Sequence, residues 1–134
     1  MLHHIEVYVS DLDRSREFYA YLLPKLGYSL FQDWEEGFSF KDEDSYLVFV
    51  QTREKYLKGG YNRCNIGLNH IAFVVSCVEE IEEIRTELIR RGTSILYEDR
   101  YPYAGGEGHY ALYFEDPDRI KLEVVAQEKQ GNTV

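Results

Sequence analysis

The run "LHHIEVYVSDLDRS" (2–15) is answered by "LNHIAFVVSCVEEI" (68–81), so that His4 and His70 stand at matching points of a repeated phrase. Imidazole binds divalent metals and moves protons near neutral pH. A single histidine on a strand is usually no more than a satisfied polar side chain, but two at pseudo-symmetric points argue for metal ligation. Each leads a stretch that alternates with a period of two. Ile5, Val7 and Val9 oppose His4, Glu6 and Tyr8 in the first copy, and Ile71, Phe73 and Val75 oppose His70, Ala72 and Val74 in the second. Glu6 therefore shares the face of His4, where a carboxylate beside a metal would act as a base or hold a water. His3 falls on the other face by the same alternation and is left out of the site.

A second group of reactive side chains lies in "EDRYPYAGGEGHYA" (98–111). A glycine-rich stretch set among charges and aromatics suits a loop over a pocket, and Tyr101, Tyr103, Glu107 and His109 are its candidates for acid–base work or substrate contact. Its glycines fit neither GxGxxG nor GxxxxGK[ST], so it is no phosphate-binding loop. Cys64 and Cys77 belong to no CxxC or Cys/His cluster and are expected to be reduced thiols.

The elements that must carry these residues follow from the pattern. Each alternating run is a half-buried strand ending at a serine, Ser10 or Ser76, which is expected to cap the next helix. Leu12, Phe18 or Tyr19 and Leu22 or Leu23 in the first copy, and Val78, Ile81, Ile84 and Leu88 in the second, have helical spacing with charges between them. "LGYSL" (26–30) and "RGTSI" (91–95) supply glycine stops. Three extended segments follow in each half, around Tyr28–Asp33, Gly37–Lys41 and Tyr46–Gln51, then Ser94–Glu98, Tyr110–Phe114 and Lys121–Val125, the last two joined by an Asp116-Pro117-Asp118 turn. Each half is thus β-α-β-β-β. One such half leaves a sheet face uncovered, which explains why the unit occurs twice.

The chain has 134 residues, 44% of them hydrophobic, enough for the core of a single domain spanning 1–134, with modules at about 2–54 and 68–127 and a flexible tail from about 128 to 134. A net charge of −9 argues against a nucleic-acid or anionic-membrane partner. No leader-like segment opens the chain and no run approaches the roughly 20 apolar residues of a membrane span, so a soluble, cytoplasmic protein is expected.

"HHIEVYVSDLDRSREFY" (3–19), "LNHIAFVV" (68–75) and "YFEDPDRIKLEVV" (113–125) resemble the vicinal oxygen chelate superfamily, which includes glyoxalase I, fosfomycin- and bleomycin-resistance proteins and extradiol dioxygenases. The resemblance covers roughly residues 2–126. It implies an α+β fold in which two tandem βαβββ modules form a cupped, incompletely closed mixed β-barrel with one helix per module on the outside. It also implies a divalent metal, one of Mn, Fe, Zn, Co or Ni, with His4, His70 and Glu123 at the ligand positions. Two imidazoles and a carboxylate on inner strand faces form an N/N/O set that leaves coordination positions open for substrate.

Laying "YLVFVQT" (46–52) over "KLEVVAQ" (121–127) puts Val48 where glyoxalase I enzymes carry a second carboxylate. Gln51, three residues on, points the other way in a regular strand and reaches the ion only through a bulge. Tyr46 shares the face of Val48 as part of the pocket wall. The expectation is a small metalloenzyme acting on an oxygen-bearing small molecule as a glyoxalase-like lyase or isomerase, a fosfomycin-type transferase or hydrolase, or an extradiol-type dioxygenase. Glu6, Tyr46, Tyr103 and His109 are its candidate catalytic residues, and a homodimer its expected assembly. The alternative is a metal-free protein that sequesters a small molecule, as bleomycin-resistance relatives do.

Overall fold

The computed structural model describes residues 1–127, so the tail expected from about 128 lies outside the described residues. The chain runs β1 (His4–Val9), α1 (Leu12–Lys25), β2 (Ser29–Trp34), β3 (Gly37–Lys41), β4 (Tyr46–Gln51), a 3₁₀ turn (Glu54–Gly59), β5 (His70–Val75), α2 (Val78–Arg90), β6 (Ile95–Leu96), a second 3₁₀ turn (Glu98–Arg100), β7 (Ala111–Glu115) and β8 (Lys121–Ala126). It divides into two compact units: Met1–Asn62 with Pro117–Arg119, and Arg63–Asp116 with the stretch that begins at Ile120.

Unit 1 is a mixed sheet in the order β1-β4-β3-β2. β1 and β4 are parallel, with His4 beside Tyr46 and Glu6 beside Val48. Ile5, Val7 and Val9 alternate inward as their spacing predicts, and α1 covers that face. Tyr19 of α1 stacks on Phe49 with ring centroids 4.0 Å apart, and Phe38 stacks on the same ring at 5.1 Å. Leu22 and Leu23 are fully buried there, where truncation to alanine would cost about 2–5 kcal/mol each.

Unit 2 repeats this design in the order β5-β8-β7-β6, with His70 beside Lys121 and Ala72 beside Glu123. Ile81, Ile84 and Leu88 of α2 are buried, and α2 packs on β5, β7 and β8. β6 is only two residues long, because Tyr97 turns into the left-handed region (φ 58°) and the chain enters a 3₁₀ turn. Neither sheet closes on itself: β1 and β2 are the edges of one, β5 and β6 of the other.

Both helices end alike. Gly27 (φ 89°) and Gly92 (φ 80°) take the left-handed conformation, letting Tyr28 N–H reach Leu23 O and Thr93 N–H reach Leu88 O, both at 3.0 Å. Their starts differ from expectation. The N-caps are Asp11 and Cys77, each one residue after the serine, and Asp11 Oδ1 accepts from Arg14 N–H at 3.2 Å. Ser10 instead donates to Asp118 from its backbone and its hydroxyl, while Ser76 donates to Glu80. A nearby carboxylate accepts from both serine donors at once, leaving the next residue to begin the helix. Among the described residues no helix is long and apolar enough to cross a membrane.

Candidate functional site

In each unit one sheet face is taken by the helix, so chemistry must come from the other. In unit 2 that face carries His70 on β5, Glu123 on β8 and Tyr113 on β7, the last paired in register with Glu123. Glu123 is 5% exposed, and a buried carboxylate needs partners. His70 Nε2 stands 3.2 Å from its Oε1, and His109 Nε2 donates to its Oε2 at 2.6 Å. Tyr113 also hydrogen-bonds to Glu123, and burial followed by the Glu123 charge pushes its phenol up to about 12, so it stays a donor.

The tautomer of His70 follows from its neighbour. Asn69 Nδ2 donates to the Arg63 carbonyl at 3.3 Å, which turns Asn69 Oδ1 toward His70 Nδ1 at 2.7 Å. An amide oxygen only accepts, so Nδ1 carries a proton, and Nε2 is the nitrogen that faces the Glu123 carboxylate. Nε2 and Oε1 face one another as a nitrogen and an oxygen donor of the kind a divalent cation takes. A protein partner fixing one imidazole nitrogen while the other faces a ligand position is the usual support of metal-binding histidines.

The loop before β7 is fastened to both faces of unit 2. Tyr101 and Tyr110 both donate to Glu82 Oε1 on α2, and these two bonds hold the Glu82 carboxyl below its ordinary range. On the open face, a Cβ at Gly105 would overlap the Tyr113 hydroxyl and stand 2.6 Å from His109 Cδ2. Glycine at 105 is what lets the loop seat His109 against Glu123.

In unit 1 His4 stacks on Tyr46 with centroids 4.8 Å apart and 9° between planes. Alternation would send His3 to the far face, but β1 starts only at His4, and His3 Nδ1 lies 2.8 Å from His4 Nδ1. His3 thus meets His4 at the same ring nitrogen by which His70 meets Asn69. Glu6 is exposed on β1, and Val48 is 4% exposed at the β4 position matching Glu123. β3 and β4 pair without a register shift, so no bulge brings Gln51 round. Its amide oxygen accepts from Leu12 N–H at 2.9 Å and its nitrogen donates to Ser10 O at 2.8 Å, which ties down the start of α1.

The sequence candidates therefore separate. His70, Glu123 and His109 come together in unit 2, while His4 and Tyr46 form a stacked pair in unit 1. Tyr101 serves the helix face, and Tyr103 is 52% exposed with its ring 5.8 Å from that of Tyr110. Glu107 is exposed in the loop. Among the described residues no group of three or more His, Cys, Asp or Glu side chains is arranged to hold a metal ion. In unit 2 the side chains that approach one are closed up by direct contacts. Sequence reasoning passed over Asn69, Tyr113 and Gly105, and it set aside His3, which lies against His4. Tyr113 had a legible signal, since folding the hairpin about Asp116-Pro117-Asp118 sets it opposite Glu123.

Comparison with known proteins agrees with this architecture. Residues 1–124 match the family model described as the Glyoxalase/Bleomycin resistance protein/Dioxygenase superfamily. The uncharacterized Bacillus subtilis protein YqjT is 49% identical over 125 residues, which is 93% of this chain and 98% of that one. A candidate glyoxalase from Bacillus halodurans superposes with a TM-score of 0.93 at 47% identity, covering 95% of this chain and 96% of that one. A lactoylglutathione lyase from Agrobacterium tumefaciens shares the fold at 20% identity and a TM-score of 0.66, covering 98% and 96% of the two chains. With two βαβββ units and a match along nearly its whole length, the chain belongs to the glyoxalase/bleomycin resistance/dioxygenase superfamily, the vicinal oxygen chelate proteins.

Proposed function

We propose that the chain is a small cytoplasmic metalloenzyme, a homodimer, that acts on a small molecule bearing two oxygens able to chelate a divalent ion. The observation that carries this reading is the His70–Glu123 pair: an imidazole whose Nδ1–H donates to Asn69 Oδ1 presents Nε2 to a nearly buried carboxylate. That donor set fits a divalent ion of the Mn, Fe, Zn, Co or Ni series. His70 and Glu123 would hold it, and His4 is proposed as the third ligand from the family pattern alone. When bound, the ion would polarise the substrate oxygens as a Lewis acid.

The chain's own residues have the remaining tasks. Tyr113, kept protonated, donates a hydrogen bond on the Glu123 face. His109 handles a proton beside Glu123, held there by the loop that Gly105 seats. Tyr46 orients the ring of His4 by stacking, Glu6 acts as a base on the same strand face, and Tyr103 contacts substrate from the loop. With Val48 in place of a second carboxylate, the site is suited to reactions of three-ligand members and not to glyoxalase I turnover.

Metal analysis and calorimetric Mn²⁺ and Zn²⁺ titration test this. One ion per chain is expected in the wild type, with stoichiometric binding abolished in His70→Ala and Glu123→Ala. A wild type that binds no divalent ion while still binding small molecules would replace this reading with metal-free sequestration.

A further inference from the structure

The open face of unit 2 holds a feature that metal binding does not use. Two cations converge on the ring of Tyr97: Lys121 Nζ lies 5.0 Å from its centroid and Arg100 Cζ also 5.0 Å. Lys121 Nζ is in addition 5.2 Å from the centroid of Tyr113, whose ring stands 5.4 Å from that of Tyr97. Among the described residues neither Lys121 nor Arg100 makes an ion pair, although the chain has 24 acidic residues against 15 basic ones. Glu115, the register partner of Lys121 on β7, is already engaged by Arg63 at 2.7 Å.

We propose that Lys121 and Arg100 form an anion-binding subsite around Tyr97, which takes a carboxylate or phosphoryl group of the substrate beside Glu123. Lys121 precedes Glu123 by two residues on one strand, so the two share a face about 7 Å apart along β8. Tyr113 links them, with Glu123 on its hydroxyl and Lys121 over its ring. A cation resting on aromatic faces is positioned without its charge being neutralised, and its N–H groups remain available to an oxyanion.

The backbone supports the same assignment. Tyr97 holds φ 58° and ψ 35°, a left-handed conformation uncommon for a bulky aromatic residue. Such strain persists where the surroundings enforce it, and it gathers at binding sites. Here it sets the ring that both cations share. The substrate class that follows is an anionic small molecule: one end an oxyacid group at Lys121 and Arg100, the other the chelating oxygens at Glu123. That second end rests on the metalloenzyme reading; the anion subsite does not.

The test separates the two. Isotope-labelled protein, kept in chelator at constant ionic strength, is titrated with sodium phosphate, with sodium acetate and with neutral acetamide while its NMR spectrum is followed. Saturable shifts at Tyr97 and Lys121 with an anion but not with acetamide are expected, weakened at least fivefold in Lys121→Met and in Arg100→Gln. Stronger binding of phosphate assigns a phosphoryl group to the subsite, and stronger binding of acetate a carboxylate. Should Lys121→Met misfold, the exposed Arg100→Gln decides alone. Wild-type affinity in Arg100→Gln and in a folded Lys121→Met, or shifts spread over unrelated lysines, would overturn the subsite whatever the separate metal titration shows.

Discussion

At the scale of single residues, the candidate site depends on side chains that hold its other members in place. Asn69 is the clearest, since its oxygen holds a proton on His70 Nδ1 and leaves Nε2 facing Glu123. Asn69→Leu should weaken divalent-ion binding by roughly 10- to 100-fold, as loss of a ligand's supporting hydrogen bond generally does. Asn69→Asp, which still accepts, should bind far closer to wild type. Calorimetry with Zn²⁺ reads the affinity, and long-range ¹H–¹⁵N spectra of the chelated protein read the tautomer directly. Gln51 makes the opposite case. Its amide serves Leu12 and Ser10, so Gln51→Ala should keep full metal stoichiometry while losing about 1–2 kcal/mol of stability in urea unfolding. Metal loss in that variant would mean the side chain leaves α1 to reach the ion.

Secondary-structure elements act here mainly by tying the 101–110 loop to α2. Glu82 accepts from both Tyr101 and Tyr110, and its carboxyl is lowered by those two bonds in that order. A depressed carboxyl adds stability above its unfolded value near 4.5, and that stability is lost as pH falls through the folded value. The wild type should therefore exceed Glu82→Gln in urea midpoint at pH 7, with the gap closing at pH 3. A gap that is constant with pH would show that the two tyrosines hold the loop without the charge. The elements themselves were legible in the residues: period-two runs became β1 and β5, and Gly27 and Gly92 ended their helices where the spacing put them. The caps were less legible, because Ser10 and Ser76 each found a carboxylate that helix-start rules do not anticipate. For Ser10 it lies 108 residues away.

For the whole molecule, the edge strand β2, paired with β3 on one side only, presents Leu30, Phe31 and Trp34 at 57%, 47% and 38% exposure. Edges of this kind pair or become covered. The chain should accordingly run as a dimer in light scattering at micromolar concentration, and charged substitutions at Leu30 and Phe31 should shift it toward monomer without lowering unit stability. A monomer mass for the wild type would remove this assembly.

What the sequence by itself determined was everything that depends on period and repetition. The repeated phrase implied two βαβββ units, alternation chose the faces of β1 and β5, and the overlay of β4 on β8 put Val48 opposite Glu123. These are properties of the local chain, where parity and turn chemistry act within a few residues. Only the tertiary structure decided which side chains meet across strands and loops. It brought His109 from a loop to Glu123, set His3 against His4 just ahead of β1, sent Gln51 to the start of α1, and gathered Lys121 and Arg100 on Tyr97. Each of those contacts depends on loop conformation or on a positive φ, which pattern alone does not encode. A buried carboxylate takes whichever donors the folded loops bring to it.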